Sequence, residues 1–139
     1  MVLENGRKKM NINKIKLHKV LTCREDETIV DIANRLKENK ERRIFVVDTH
    51  GKLKGIITTT DLVYKSIAVH NQNLTAKDVM TKEVKSVEID DDLNKALEIM
   101  NNLKSFSCPV TDKGNVIGLL SYHDLLGHVL TSIHENGTY

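Results

Sequence analysis

The sequence predicts an α+β protein in which one β-α-β-β-α unit is written twice, the two sheets packed together around a pseudo-twofold axis. Three observations predict it. The heptads Gly55-Ile56-Ile57-Thr58-Thr59-Thr60-Asp61 and Gly118-Leu119-Leu120-Ser121-Tyr122-His123-Asp124 share a pattern of Gly, two aliphatics, a hydroxyl residue, two variable positions and Asp, 63 residues apart. Upstream of each heptad, apolar residues at helical spacing repeat at an offset of 64. Between stripe and heptad, each copy carries two aliphatic runs joined by a short turn.

The unit opens on a short strand, near Val20-Leu21-Thr22 in the first copy and Val84-Lys85-Ser86 in the second. A helix follows. Ile29, Ile32, Ala33 and Leu36 recur at i, i+3, i+4 and i+7, and Leu93, Ala96, Leu97 and Met100 repeat them; such a stripe is one face of an amphipathic helix. Thr28 follows Glu25-Asp26-Glu27, and Asp92 follows Asp90-Asp91. A hydroxyl or carboxylate cap with acids beside it suits the positive end of the helix dipole. The chain then extends as Ile44-Phe45-Val46-Val47 and Cys108-Pro109-Val110, turns, and returns as strands 53–58 and 116–121. The turn Asp48-Thr49-His50-Gly51 is one residue longer than Asp112-Lys113-Gly114, so the offset falls from 64 to 63. Strands joined this tightly are antiparallel neighbours. A second helix closes each unit, with the stripe Leu126, Val129, Leu130, Ile133 and the weaker Val63, Ile67, interrupted by Ser66 and His70.

These elements divide the chain into a basic arm (1–12), repeat one (13–72), repeat two (73–134) and a short tail (135–139). Each repeat alone is marginal in size, and joining the two sheets buries both apolar faces. The charge is nearly balanced, 21 basic against 19 acidic residues, net +2. That weighs against a dedicated nucleic-acid binder. Met1 to Lys19 is rich in Lys and Arg but has no apolar stretch, so it is not a signal peptide. No apolar run approaches the roughly 18 residues of a spanning helix. A soluble cytoplasmic protein is expected, with Cys23 and Cys108 as small buried residues in a reducing compartment.

In these residues the chain resembles a tandem pair of cystathionine-β-synthase (CBS) domains, the Bateman module. The resemblance runs from about residue 13 to 134. It is carried by the doubled heptad, the strand Cys108-Pro109-Val110 and the lead-in Lys77-Asp78-Val79-Met80-Thr81. It implies a regulatory ligand-binding module without catalytic residues, obligatory cofactor or metal. The ligand would be an adenine-containing molecule (AMP, ADP, ATP or S-adenosylmethionine) held in clefts between the paired sheets. By the resemblance, Asp61 and Asp124 accept hydrogen bonds from ribose hydroxyls, and Thr58 and Ser121 meet ribose or phosphate. The base lies against Thr22 with Ile44 to Val46, or Ser86 with Cys108 to Val110. Arg43 occupies a position that carries a phosphate-binding base in some family members, and its counterpart is Ser107. With Phe45 standing where many repeats have Pro, two unequal sites are expected. The family also implies a homodimer, with the stripe Leu126, Val129, Leu130, Ile133 as its surface, and an effector protein acting in trans.

The same residues also suit purely structural roles. A carboxylate in carboxylate form can take both hydroxyls of a ribose, yet Asp61 and Asp124 are equally placed to cap the helices that follow, worth about 1 kcal/mol. His123 and His128 are not at i, i+4, so a metal site with Asp124 and His134 is not expected. Ser121 lacks a nucleophile elbow. The run Lys37, Lys40, Arg42, Arg43 complements a helix C-terminus. Two other functions remain open: a purely structural interaction module with empty clefts, and a nucleic-acid binder using the basic arm and the Lys37–Arg43 end.

Overall fold

The computed structural model describes residues 3–4, 7–8, 10–66 and 73–136, with side chains described for 10–65 and 73–131. Ile67 and His70 of the weaker stripe lie outside the described residues, and Ile133 and His134 outside the described side chains. The chain forms two compact units. One is Val20–Val84 with Gly114–Val116; the other joins Met1–Lys19, Lys85–Lys113 and Ile117–Tyr139. Near the N-terminus, β1 (Leu3–Glu4) and β2 (Arg7–Lys8) pair antiparallel.

The first unit contains β3 (Thr22–Arg24), α1 (Ile29–Asn39), β4 (Arg43–Val47), β5 (Leu53–Thr58) and α2 (Thr59–Asp61), which runs on as a π-helical turn, Leu62–Ser66. A short helix α3 (Ala76–Val79) and strand β6 (Thr81–Lys82) complete it. The sheet order is β3-β4-β5-β6. β3 runs parallel to β4, and the other pairs are antiparallel. In the second unit β7 (Val87–Glu88), α4 (Leu93–Leu103), β8 (Ser107–Asp112) and β9 (Asn115–Ser121) repeat the pattern, with order β7-β8-β9. α5 (Tyr122–Asn136) closes it. The opening strands lie slightly later than the apolar triplets suggest. They begin where Cys23 and Val87 turn into the cores.

The caps act as the sequence implies. Thr28 Oγ1 accepts from Asp31 N–H at 3.2 Å and starts α1, and Asp92 starts α4. Both helices end on a lysine in the left-handed region, Lys40 at φ 54° and Lys104 at φ 51°. Glycine is the usual occupant of such a position because it has no Cβ to strain. Lys40→Gly and Lys104→Gly are each expected to raise unfolding free energy by up to about 1 kcal/mol in urea denaturation. The two hairpin turns differ in construction. In the first, Asp48 Oδ1 accepts from His50 N–H at 2.8 Å and Lys52 N–H at 3.0 Å. In the second, Lys113 and Gly114 both take positive φ, 51° and 85°, the signature of a two-residue type I′ turn.

The two cores match position for position. One holds Cys23, Ile29, Ile32, Leu36, Ile44, Val46, Ile57, Leu62, Ala76 and Val79. The other holds Val87, Leu93, Ala96, Met100, Cys108, Val110, Leu120, Leu125, Ile12 and Ile15. The last two residues of each set come from the lead-in of the other copy. Thus α3, at the start of the second repeat, packs on the first unit, while Ile12 and Ile15, where the basic arm meets the first repeat, pack on the second. The main chain repeats the exchange. β6 pairs with β5 through Thr81 and Ile56, and His18 bridges Leu119 of β9. Each crossing passes over a heptad glycine. A Cβ on Gly55 would lie 2.8 Å from Thr81 O, and one on Gly118 would lie 2.7 Å from Leu17 Cβ.

Two apolar stripes turn out differently from their spacing. Ala33 is exposed, while its counterpart Leu97 packs at the edge of the second core. On α5 the inward residues are Leu125 and Val129, whereas Leu126 and Leu130 are 47% and 49% exposed. The helix begins directly after Ser121, which puts Leu125 on the core side.

Both thiols are buried and unpaired. Burial pushes Cys23 up to about 12 and Cys108 up to about 11, from an ordinary value of 9.0. The unfolded chain therefore ionises these thiols first. Their stabilising effect is complete below pH 9.0 and is lost as pH rises toward 11 and 12. A thiol reagent at pH 8 should label neither residue until denaturant is added; fast labelling of the folded chain would contradict the burial.

Candidate functional site

The candidate residues of the first unit divide between the two faces of one sheet. Ile44 and Val46 point into the core against α1. Their side chains are therefore core residues, and only their main chain could be offered to a ligand. Strand alternation places Arg43 and Phe45 on the other face. Arg43 stands directly across from Thr58 in the β4–β5 register, and Thr22 stands beside Phe45 in the β3–β4 register. Directly opposed residues share a face, so Thr22, Arg43, Phe45 and Thr58 line the side away from the helix-packed core. Phe45 is fully buried there; Thr22, Arg43 and Thr58 are half-buried.

At the end of that face, Thr58 and Asp61 form a reciprocal capping box. Thr58 Oγ1 accepts from Asp61 N–H at 3.1 Å, and Asp61 Oδ2 accepts from Thr58 N–H at 3.0 Å. Thr58 is thus the N-cap, and Asp61 closes the box three residues on. Lys65 Nζ lies 3.7 Å from Asp61 Oδ1 and also donates to Val79 O at 2.6 Å.

The second unit repeats this junction with a different partner. Cys108 and Val110 are core residues, and alternation puts Ser107 and Pro109 on the opposite face. Ser86 directly precedes β7. Leu120 points into the core, so Ser121 faces the other way. Ser121 Oγ accepts from Asp124 N–H at 3.0 Å. Asp124 Oδ2, however, meets His18 Nε2 at 2.5 Å. The carboxyl of Asp124 is held below its usual range, first by the Ser121 side chain and next, against the opposing effect of burial, by His18. Beside Ser121, Tyr122 N–H donates to Phe106 O at 2.8 Å. The two rings meet edge to face at 6.5 Å and 85°, and Phe106 is 81% exposed. Thr59 N–H and Arg42 O make the same main-chain bond in the first unit, without aromatics.

The structure therefore brings Thr22, Arg43 and Thr58 onto one face, with Asp61 at its end. It also adds three residues that sequence reasoning passed over: His18, Phe106 and Tyr122. The signal for Phe106 and Tyr122 was present, since they replace Arg42 and Thr59 at matched repeat positions. Among the described residues no group of three or more His, Cys, Asp or Glu is placed to hold a metal ion. No helix among them is long and apolar enough to cross a membrane.

A family model for the CBS domain matches residues 12–67 and again 76–131. The chain belongs to the CBS-domain family. It is a CBS pair of mixed α and β structure, as the resemblance implied. Among solved structures, the CBS pair of protein MJ0100 in complex with 5′-methylthioadenosine and S-adenosyl-L-methionine is 25% identical, with a TM-score of 0.67 over 86% of this chain and 99% of that one. Hypoxic Response Protein I with two coordinated zinc ions shares the fold, with a TM-score of 0.74 at 19% identity over 86% of this chain and 98% of that one.

Among sequence relatives, a 17.7 kDa uncharacterized protein of Acidianus ambivalens is 30% identical over 88% of this chain and 74% of its own length. An uncharacterized protein of Methanopyrus kandleri is 28% identical over 84% of this chain, which spans 61% of that protein. A homoserine O-acetyltransferase of Methanococcus vannielii is 33% identical over 89% of this chain, but that match takes in 27% of the enzyme. Where relatives are enzymes, this CBS pair thus corresponds to a minor part of their length.

Proposed function

We propose that this CBS pair is a regulatory module that binds an adenosine-containing small molecule of the AMP, ADP, ATP or S-adenosylmethionine class. The observation that carries the reading is the doubled junction. Thr58 with Asp61, and Ser121 with Asp124, put a hydroxyl and a carboxylate at the end of a sheet face turned away from the core. A carboxylate offers two oxygens to two vicinal hydroxyls. The complex of the MJ0100 pair with two adenosine derivatives supports the ligand class. Arg43, across from Thr58, supplies a cation for a phosphate at the first site, and Ser107 supplies none at the second. Two buried unpaired thiols suit a cytoplasmic setting.

Small-molecule mass spectrometry of the purified protein, followed by thermal shift with the named ligands, tests this reading. A ligand at 100 times its Kd adds about 2.7 kcal/mol. The absence of any shift would refute the sensor function, and a salt-dependent shift with oligonucleotides would favour a nucleic-acid binder instead. Asp61→Ala and Asp124→Ala separate cap from ligand. Lower baseline stability with an intact ligand shift would make the carboxylates structural only.

Signal output requires a partner, and we take the first to be a second copy of the chain. Tyr122, Leu126 and Leu130 lie at i, i+4 and i+8 on α5, and all three are exposed. Leu126→Glu with Leu130→Glu should give a monomer by light scattering, with the circular dichroism unchanged.

A further inference from the structure

Asp61 and Asp124 hold the same place in the repeat but different partners. Asp61 Oδ2 is engaged by the main-chain N–H of Thr58. Asp124 Oδ2 is engaged by the His18 imidazole, 106 residues away in sequence. His18 is fixed at its backbone, for its N–H and C=O both bond Leu119 of β9, each at 2.9 Å. Its repeat counterpart is Thr81 on β6, which cannot carry a proton-dependent charge. The imidazole itself is 59% exposed.

We propose that His18 gates the second-repeat site by competing with ligand hydroxyls for the Asp124 carboxylate, so that occupancy of this site, unlike the first, depends on pH. The proposal rests on Asp124 being the ribose acceptor. Imidazole is the side chain whose charge ordinarily changes between pH 5 and 8. A protonated imidazole makes a charge-assisted bond to carboxylate, roughly twice as strong as a neutral one. Acid therefore closes the carboxylate to a diol. An uncharged imidazole is a weaker donor that the diol can displace, and the exposed side chain then returns to water. The first site has no such gate, because displacing Thr58 N–H would break a helix cap.

Lys16 and Lys19 flank His18 on its own segment, and His123 and His128 lie on α5. β9 carries none. Lys95 and Glu98 lie on α4, with Lys95 paired to Asp91 at 3.2 Å. Of these groups, His18 and His123 act on the Asp124 carboxylate, and only His18 bonds it. Linkage is reciprocal, so ligand binding expels a proton from the pair.

Calorimetric titration of the full chain with AMP, ATP and S-adenosylmethionine at pH 5.5 and pH 8 tests the gate. Asp61→Asn isolates the second site. Its affinity is expected to be about tenfold weaker at the lower pH, and adding His18→Gln should remove that difference while His123→Gln keeps it. Equal affinity at both pH values, or a pH dependence that survives His18→Gln, overturns the gate and leaves the ribose reading standing. No binding of any of the three to the unmodified chain overturns both. A ligand-free readout is the carboxyl-carbon titration of Asp124 by NMR. It should move up toward the ordinary carboxylate range in His18→Gln, and an unmoved titration also overturns the gate.

Discussion

Phe45→Ala is expected to lower the unfolding free energy by about 3–5 kcal/mol. Phe45 heads the fully buried side chains by volume. It also sits at the centre of its sheet, between β3 and β5, with its N–H donating to Leu21 O at 2.9 Å. Truncation removes the ring but keeps that bond, so the loss reports packing alone. For a chain of this length the change corresponds to a fall in Tm of about 10 °C or more. Phe45→Leu, which keeps most of the volume, should cost well under half as much. The effect has a location as well as a size. Phe45 lies on the face opposite Ile44 and Val46, so the variant leaves the α1-packed core intact. If the ligand proposed above binds at Thr58 and Asp61, the variant should weaken ligand-induced stabilisation as well as baseline stability. A loss below about 1 kcal/mol would mean that the ring is not enclosed as described.

Gly55→Ala and Gly118→Ala should each cost about 1–3 kcal/mol, the range for forcing an extra methyl into a packed place. The two are not equivalent. At Gly55 the new Cβ would meet Met80 Sδ at 2.7 Å and Thr81 O at 2.8 Å. The thioether can swing away, but the carbonyl belongs to β6 and cannot retreat without opening its pairing with β5. At Gly118 the obstacles are Leu17 Cβ at 2.7 Å and His18 O at 3.1 Å. Moving them shifts His18 and hence its bond to Asp124. Urea denaturation of both variants measures the costs. Gly118→Ala should additionally alter the titration of Asp124, which Gly55→Ala should leave alone.

Much of the architecture was legible because the repeat states each element twice. The stripe Ile29, Ile32, Leu36 and its copy Leu93, Ala96, Met100 face the two cores. The strand 53–58 lies where its aliphatics place it. Thr28 and Asp92 cap as their chemistry suggests. Leu62 and Leu125 were harder to read. Apolar neighbours on either side blur which one faces inward, and the start of the helix decides it. The exchange of lead-in segments was not legible at all. Ile12 and Ile15 satisfy an apolar surface in either repeat equally well on paper, and only chain geometry selects the partner. His18 was missed for a related reason. A single histidine among lysines looks solvated, and its carboxylate lies more than a hundred residues on. The opposition of Arg43 and Thr58 needed the strand register, which the hairpin turn length determines but composition does not.

The exchanged lead-ins also bear on how the chain is made. Emerging from a ribosome N-terminus first, the first repeat can close its core once Ala76 and Val79 have appeared. Ile12 and Ile15 were synthesised long before, yet they have no binding surface until Val87 through Leu125 exist. Until then this apolar segment waits unpartnered. Docking these residues is a long-range closure, joining segments far apart in sequence. Non-local closure of this kind is intrinsically slow, and it leaves Ile12 and Ile15 open to chaperones until it is complete.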